Sequence, residues 1–296
     1  MELYLNTRGF RSDYTWLPHF PEDCWWEQYR RWTDFEFPTV LLQHEANGDL
    51  KFFLSALPSA RRDFSGTPIR VSIAGRYNVE TDNELSLYMV SFISEVLDWA
   101  VRGIVTPGIS IQEKIDKAFP SSWVEQALKS DSCDEPVQQF KKELLPTCPA
   151  VQKADEDFEE LSGEARCGDL AGALLDLASA RSVLQTVGLH LQPRGLTLIY
   201  LNAVASEEQG KNIVQELAEG RSAFVCLILG SIHKPVYIQR RSQPSPPGPV
   251  KGVPVSPDQS FLGRTCKFIG DFVRGTRQLL DFLVAKTGVL GRRTKG

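Results

Sequence analysis

The sequence predicts an α+β (mixed α/β) fold. Three observations carry that expectation. The opening third holds short alternating apolar and polar runs separated by turn residues, the pattern of half-buried strands. From Glu84 to Arg102, apolar residues recur at helical spacing. Farther on, the near-continuous apolar runs Leu196–Leu201 and Ala223–Leu229 flank a helical stretch, as parallel strands covered on both faces do. Of the 296 residues, 42% are hydrophobic and 24% charged. That composition builds a sizeable core without disulfides or metals as staples.

Residues 1–110 read as a mostly antiparallel sheet followed by a helix. Leu3–Asn6 is a short strand. Thr7–Leu17 is a polar-aromatic corner carrying Arg8, Arg11 and Asp13. Residues 18–37 hold Trp25, Trp26, Tyr29, Trp32, Phe35 and Phe37, interleaved with Arg30 and Arg31. Such a set either stacks on bases or covers one end of a sheet. Thr39–His44, the turn Asn47-Gly48 and Leu50–Leu57 form the clearest β-hairpin in the chain. Arg61–Arg70 then leads into the strand Ile69–Ala74. In that loop Arg62 and Asp63 are placed to pair, Gly66 supplies a position free of Cβ strain, and Pro68 stiffens the start of the next strand. Asp82 or Asn83 caps the helix, whose stripe Leu85, Met89, Phe92, Ile93, Val96, Leu97 and Ala100 faces the sheet, and Gly103 stops it.

Residues 111–190 read as a helical, acidic segment. Gln112–Ala165 carries 13 acidic residues against 6 lysines. Asp155-Glu156-Asp157 and Glu159-Glu160 form a solvated acidic run without the rhythm of a calcium loop. Asp169–Thr186 is expected to be one helix. Residues 191–241 form a strand–helix–strand unit that could join the N-terminal sheet, with Ser206–Gln209 opening the helix as a capping box and Val236–Arg240 as one more strand. Residues 242–257 are a linker rich in Pro, Gly and Ser. Residues 258–296 form a basic amphipathic helix and tail, with 8 basic and 2 acidic residues from Arg264 onward.

Composition and motifs exclude several function classes. A net charge of −4 does not suit a general nucleic-acid binder. The six cysteines and four histidines show no zinc-ligand spacing, so no metal and no cofactor is expected, and the thiols read as reduced. No glycine-rich phosphate cradle, Gly-x-Ser-x-Gly elbow or His-Glu-x-x-His helix occurs. Catalytic residues are therefore not assigned, and a non-enzymatic role is favoured. The N-terminus lacks a basic region followed by an apolar run, and no apolar run reaches the ~20 residues of a membrane span. A cytoplasmic protein is the expectation.

The remaining constellation is arginine with aspartate: Arg8, Arg11 and Asp13, then Arg61, Arg62, Asp63, Arg70 and Arg76. Guanidinium forks suit phosphate and carboxylate groups, and Arg–Asp pairs equally tie loops together. The strings Tyr4-Leu5-Asn6-Thr7-Arg8-Gly9, Asp13-Tyr14, Ser55–Ser59 and Arg61–Arg70 resemble the N-terminal region of bacterial GTPase-associated proteins of conflict and phage-defence systems. The resemblance covers residues 1–76, and Thr67 stands where such a motif carries an arginine. It implies an adaptor or regulator that acts with an NTPase partner. Two alternatives stand beside it: an enzyme or sensor that takes a phosphorylated or nucleotide-like ligand on these arginines, and a nucleic-acid-binding component.

Overall fold

The computed structural model describes residues 1–33, 36–102, 110–129, 135–148, 170–188, 195–204, 206–219 and 224–241. All of them belong to the unit Met1–Arg241. The acidic run 155–160, the linker 242–257 and the basic helix 258–296 lie outside the described residues.

Nine strands form one sheet. They are β1 (Glu2–Thr7), β2 (Thr15–Leu17), β3 (Thr39–His44), β4 (Asp49–Arg62), β5 (Pro68–Asn78), β6 (Leu170–Leu175), β7 (Leu196–Leu201), β8 (Phe224–Ile228) and β9 (Val236–Gln239). Their order across the sheet is β2-β1-β5-β4-β3-β7-β8-β6-β9. The first five pair antiparallel, β7, β8 and β6 pair parallel, and β9 closes the far edge antiparallel. The halves meet where β7 runs antiparallel to β3, with Leu42 opposite Leu198. The architecture is thus α+β around a mixed sheet.

Each half follows from local chemistry. Asn47 accepts from the Asp49 amide at 3.0 Å, and Gly48 takes a φ of 88°, so the β3–β4 hairpin turns tightly. β4 is longer than its apolar pattern predicts and bends at a bulge between Leu54 and Leu57, where Ala56 takes a φ of 55°. That bulge re-aims the outer β4–β5 hairpin relative to the rest of the sheet. In the second half, Ser206 caps the helix that leads from β7 into β8, accepting from the Gln209 amide at 3.2 Å.

Helices cover both faces. The helices are α1 (Asn83–Arg102), α2 (Ile111–Ala118), α3 (Ser121–Ala127), α4 (Glu135–Gln139, continuing as a π turn to Leu144), α5 (Leu177–Gly188) and α6 (Glu207–Ala218). α1, α2 and α5 share one core with Leu5, Phe52, Leu54, Ile73 and Leu198. The opposite core joins α6 to Leu41, Phe53, Ile199 and Leu227 and to the 3-10 helix Trp25–Trp32. Neighbours in sequence such as Phe52 and Phe53 therefore face opposite cores, as strand geometry requires. Trp26 stacks on Phe53 with ring centroids 5.1 Å apart and is buried. The tryptophan-rich stretch covers a face of the sheet. Phe35 lies outside the described residues.

One expected element is corrected. Asp169–Thr186 is not one helix, because Leu170–Leu175 is strand β6 and the helix begins only at Leu177. All six β6 residues are buried, between β8 on one side and β9 on the other. The run Leu-Ala-Gly-Ala-Leu-Leu fits helical spacing as well as a two-faced buried strand, so periodicity alone does not separate them. Asp176 marks the break by accepting from the Ser179 amide at 2.9 Å at the start of α5. The segment 111–190 therefore contributes an interior strand and is not purely helical.

Candidate functional site

The two arginine-bearing corners meet at one end of the sheet. The first follows β1, and the second is the outer tip of the β4–β5 hairpin. At that tip the Asp63 amide donates to Thr67 O at 3.0 Å and the Gly66 amide to Asp63 O at 2.9 Å, with Gly66 at a φ of 83°. The Phe64 amide donates to Phe10 O at 3.0 Å, so the tip is bonded directly to the corner after β1.

Asp63 is the hub. Its Oδ1 accepts from the Ser65 hydroxyl at 2.6 Å and from the Ser65 and Thr67 amides at 2.9 Å each. Its Oδ2 faces Arg8 Nη1 at 3.2 Å. The expected Arg62–Asp63 pair does not form, and Arg62 donates instead to Gly66 O at 2.7 Å. In a tight turn adjacent side chains diverge, and the turn's own amides claim the carboxylate first. The Ser65 hydroxyl, then the two amides and the Arg8 charge, hold the Asp63 carboxyl below the usual aspartate range against the opposing effect of burial.

A depressed carboxyl stabilises the fold above the unfolded value of ~3.9, and that contribution is lost as pH falls through the lower folded value. In urea unfolding at a series of pH values, the native protein is expected to exceed Asp63→Asn in stability by a constant margin at neutral pH. The margin should close below about pH 4. A margin independent of pH down to 2 would remove Asp63 from this role.

Arg61 is the second tie. It donates from Nη2 to Thr7 Oγ1 at 2.7 Å, from Nη1 to Arg8 O at 3.3 Å and from Nε to Ser59 Oγ at 3.1 Å. Burial lowers its pKa, with Asp116 the largest opposing charge. Asp116 on α2 accepts from Ser59 Oγ at 2.5 Å and from the Ala60 amide at 2.8 Å. On α3, Glu125 accepts from the Phe10 amide at 2.7 Å. Tyr14 accepts from the Arg70 amide at 2.9 Å, and Arg8 lies 5.5 Å from the Tyr14 ring centroid. Of these, the Ala60 and Arg70 contacts satisfy strand amides beyond the pairing with β3 and β1, which would otherwise invite another chain to pair.

The arginine set thus divides three ways. Arg8, Arg61 and Asp63 are engaged inside the corner, and the Arg70 amide is tied to it. Arg11, Asp13 and Arg62 stand exposed on its surface. Arg76 belongs elsewhere: it pairs with Glu2 at 2.6 Å near the opposite end of β1, six residues or ~20 Å along the strand.

Three aromatic side chains share this corner. Phe10, Tyr14 and Phe64 are 52%, 45% and 66% exposed, respectively, on this same corner. Their sequence signal was present, since each sits in a polar stretch outside any apolar periodicity. Asp116 and Glu125 had no such signal, being 56 and 115 residues from the atoms they bind.

No protein-family model, curated protein or solved structure matches the chain. Among the described residues, no helix is long and apolar enough to cross a membrane, and no group of three His, Cys, Asp or Glu is placed to hold a metal ion.

Proposed function

We propose that this protein is a non-enzymatic adaptor or regulator that docks a protein partner on the corner formed by Phe10, Arg11, Tyr14, Arg62 and Phe64. The observation that carries this reading is the exposure of three aromatic rings on a base fixed by partly buried hydrogen bonds. Aromatic residues and arginine are the types enriched where binding energy concentrates at protein interfaces. A rigid base lowers the ordering cost of binding. Arg8 and Arg61, which would serve a phosphate-binding fork, have their donors directed inward. The resemblance of residues 1–76 to bacterial GTPase-associated proteins supports an NTPase as the partner and a defence system as the setting.

The test is an affinity pull-down from the native host with the native protein and with Phe10→Ser/Phe64→Ser. Both side chains are exposed, so the unfolding midpoint should not change. The native protein is expected to retain an NTPase, and the double variant to lose about 30-fold in affinity for it, the scale of one interface hot spot. An eluate without an NTPase, or undiminished capture by the variant, would overturn the reading.

A further inference from the structure

A second site lies at the other end of β1, apart from the docking corner. A cleft of about 460 Å³ opens on the sheet there, within the size range of small-molecule sites. Tyr4 and Trp25 form part of its wall and are half-buried. Its charges are mostly paired. Lys51 lies between Asp23 at 2.6 Å and Glu45 at 2.9 Å, and those hydrogen bonds hold its pKa above the ordinary value although burial opposes its charge. Arg76 is held by Glu2 at 2.6 Å.

Glu22 also lines the cleft, is exposed, and makes no ion pair among the described residues. Among the lining residues, Lys51 and Arg76 give two positive charges and Glu2, Glu22 and Asp23 three negative ones, a balance of −1 with His19 neutral, and Glu45, bonded to Lys51, adds a further carboxylate. An incoming anion would have to break existing ion pairs. A cation meets spare carboxylate oxygens and aromatic rings, the combination that recognises organic ammonium and guanidinium groups.

We infer that this cleft binds an organic cation, an ammonium or guanidinium group on an alkyl stem. The charge is met by Glu22 with the outer oxygens of Glu2 and Asp23, and the stem lies along Trp25 and Tyr4. A free amine and a basic side chain of another protein share this chemistry.

Isothermal titration and tryptophan fluorescence of the full chain test it at constant ionic strength. The probes are agmatine, spermidine and the peptide Gly-Arg-Gly, with glutarate as the anionic control. At least one cation is expected to bind saturably. Glu22→Gln should weaken that binding about fivefold, the effect of one charge at a few ångströms in water, and Glu22→Lys more than about tenfold. Glu22 is exposed and holds no structural contact of this kind, so unchanged unfolding midpoints should accompany both losses. Tighter binding of agmatine or spermidine identifies a free amine as the source, and tighter binding of the peptide identifies a partner's side chain. The inference is overturned if no cation saturates, if glutarate binds as tightly, or if Glu22→Lys leaves the affinity unchanged.

Discussion

Gly172→Ala is expected to destabilise the protein by about 3 kcal/mol or more, among the largest effects of any single methyl group in this chain. Gly172 lies in β6, opposite Val225 of β8. A Cβ at this position would sit 1.9 Å from the Val225 carbonyl oxygen and 2.8 Å from a Val214 methyl of α6. The first obstacle is backbone, so no rotamer change relieves it. The added methyl must push β6 from β8 or tilt α6 off the sheet, and either motion disturbs a parallel ladder buried on both faces. Gly66→Ala offers the contrast. Its φ of 83° strains any Cβ, but nothing lies within 4 Å. That substitution should cost only about 1 kcal/mol. Urea unfolding of both variants checks the pair, and a Gly172→Ala protein no less stable than Gly66→Ala would contradict the close packing of β6 on β8.

Arg61→Ala should cost about 2–4 kcal/mol. The loss exceeds that of an ordinary surface arginine because the guanidinium serves three acceptors on two segments. Removing it leaves the buried Thr7 hydroxyl and the Arg8 carbonyl short of a donor and uncouples the hairpin tip from β1. Arg61→Lys should recover only part of the loss, because one ammonium cannot span the acceptors that the planar fork reaches. Arg62→Ala, which removes an exposed side chain bonded, among the described residues, only to Gly66 O within its own turn, should stay within about 0.5 kcal/mol of the native protein. Thermal or urea unfolding separates the three. Equal effects of Arg61→Ala and Arg62→Ala would mean that the corner is not tied through Arg61.

Much of this fold is legible from residue patterns. The strand Thr39–His44 is marked by its apolar run Val40-Leu41-Leu42 and the Asn47-Gly48 turn, and α1 by a long stripe at helical spacing. The parallel pairing of β7 with β8 follows from two apolar runs joined through one helix. β6 is not legible in this way. A short run of Leu, Ala and Gly suits a helix or a buried strand, and only the neighbours that close on both sides decide between them.

The candidate site divides along the same line. Composition marks Arg8, Arg61, Arg62 and Asp63 as unusual, and the turn residues place Asp63 to Gly66 at a hairpin tip. Which guanidinium meets which acceptor is set by the bulge at Ala56 and by α2 and α3, whose Asp116 and Glu125 arrive from far along the chain.

Elements with local signals are readable from residue order: hairpin turns, helix caps and the strand geometry that sends Phe52 and Phe53 to opposite faces. Long-range packing is what joins the two arginine corners and gives Asp63 the Arg8 guanidinium rather than that of Arg62. The two kinds of signal differ in range. Backbone propensity and periodicity act over a few residues, whereas a hydrogen-bond partner is chosen by whichever donor or acceptor the packed sheet and helices bring within about 3 Å.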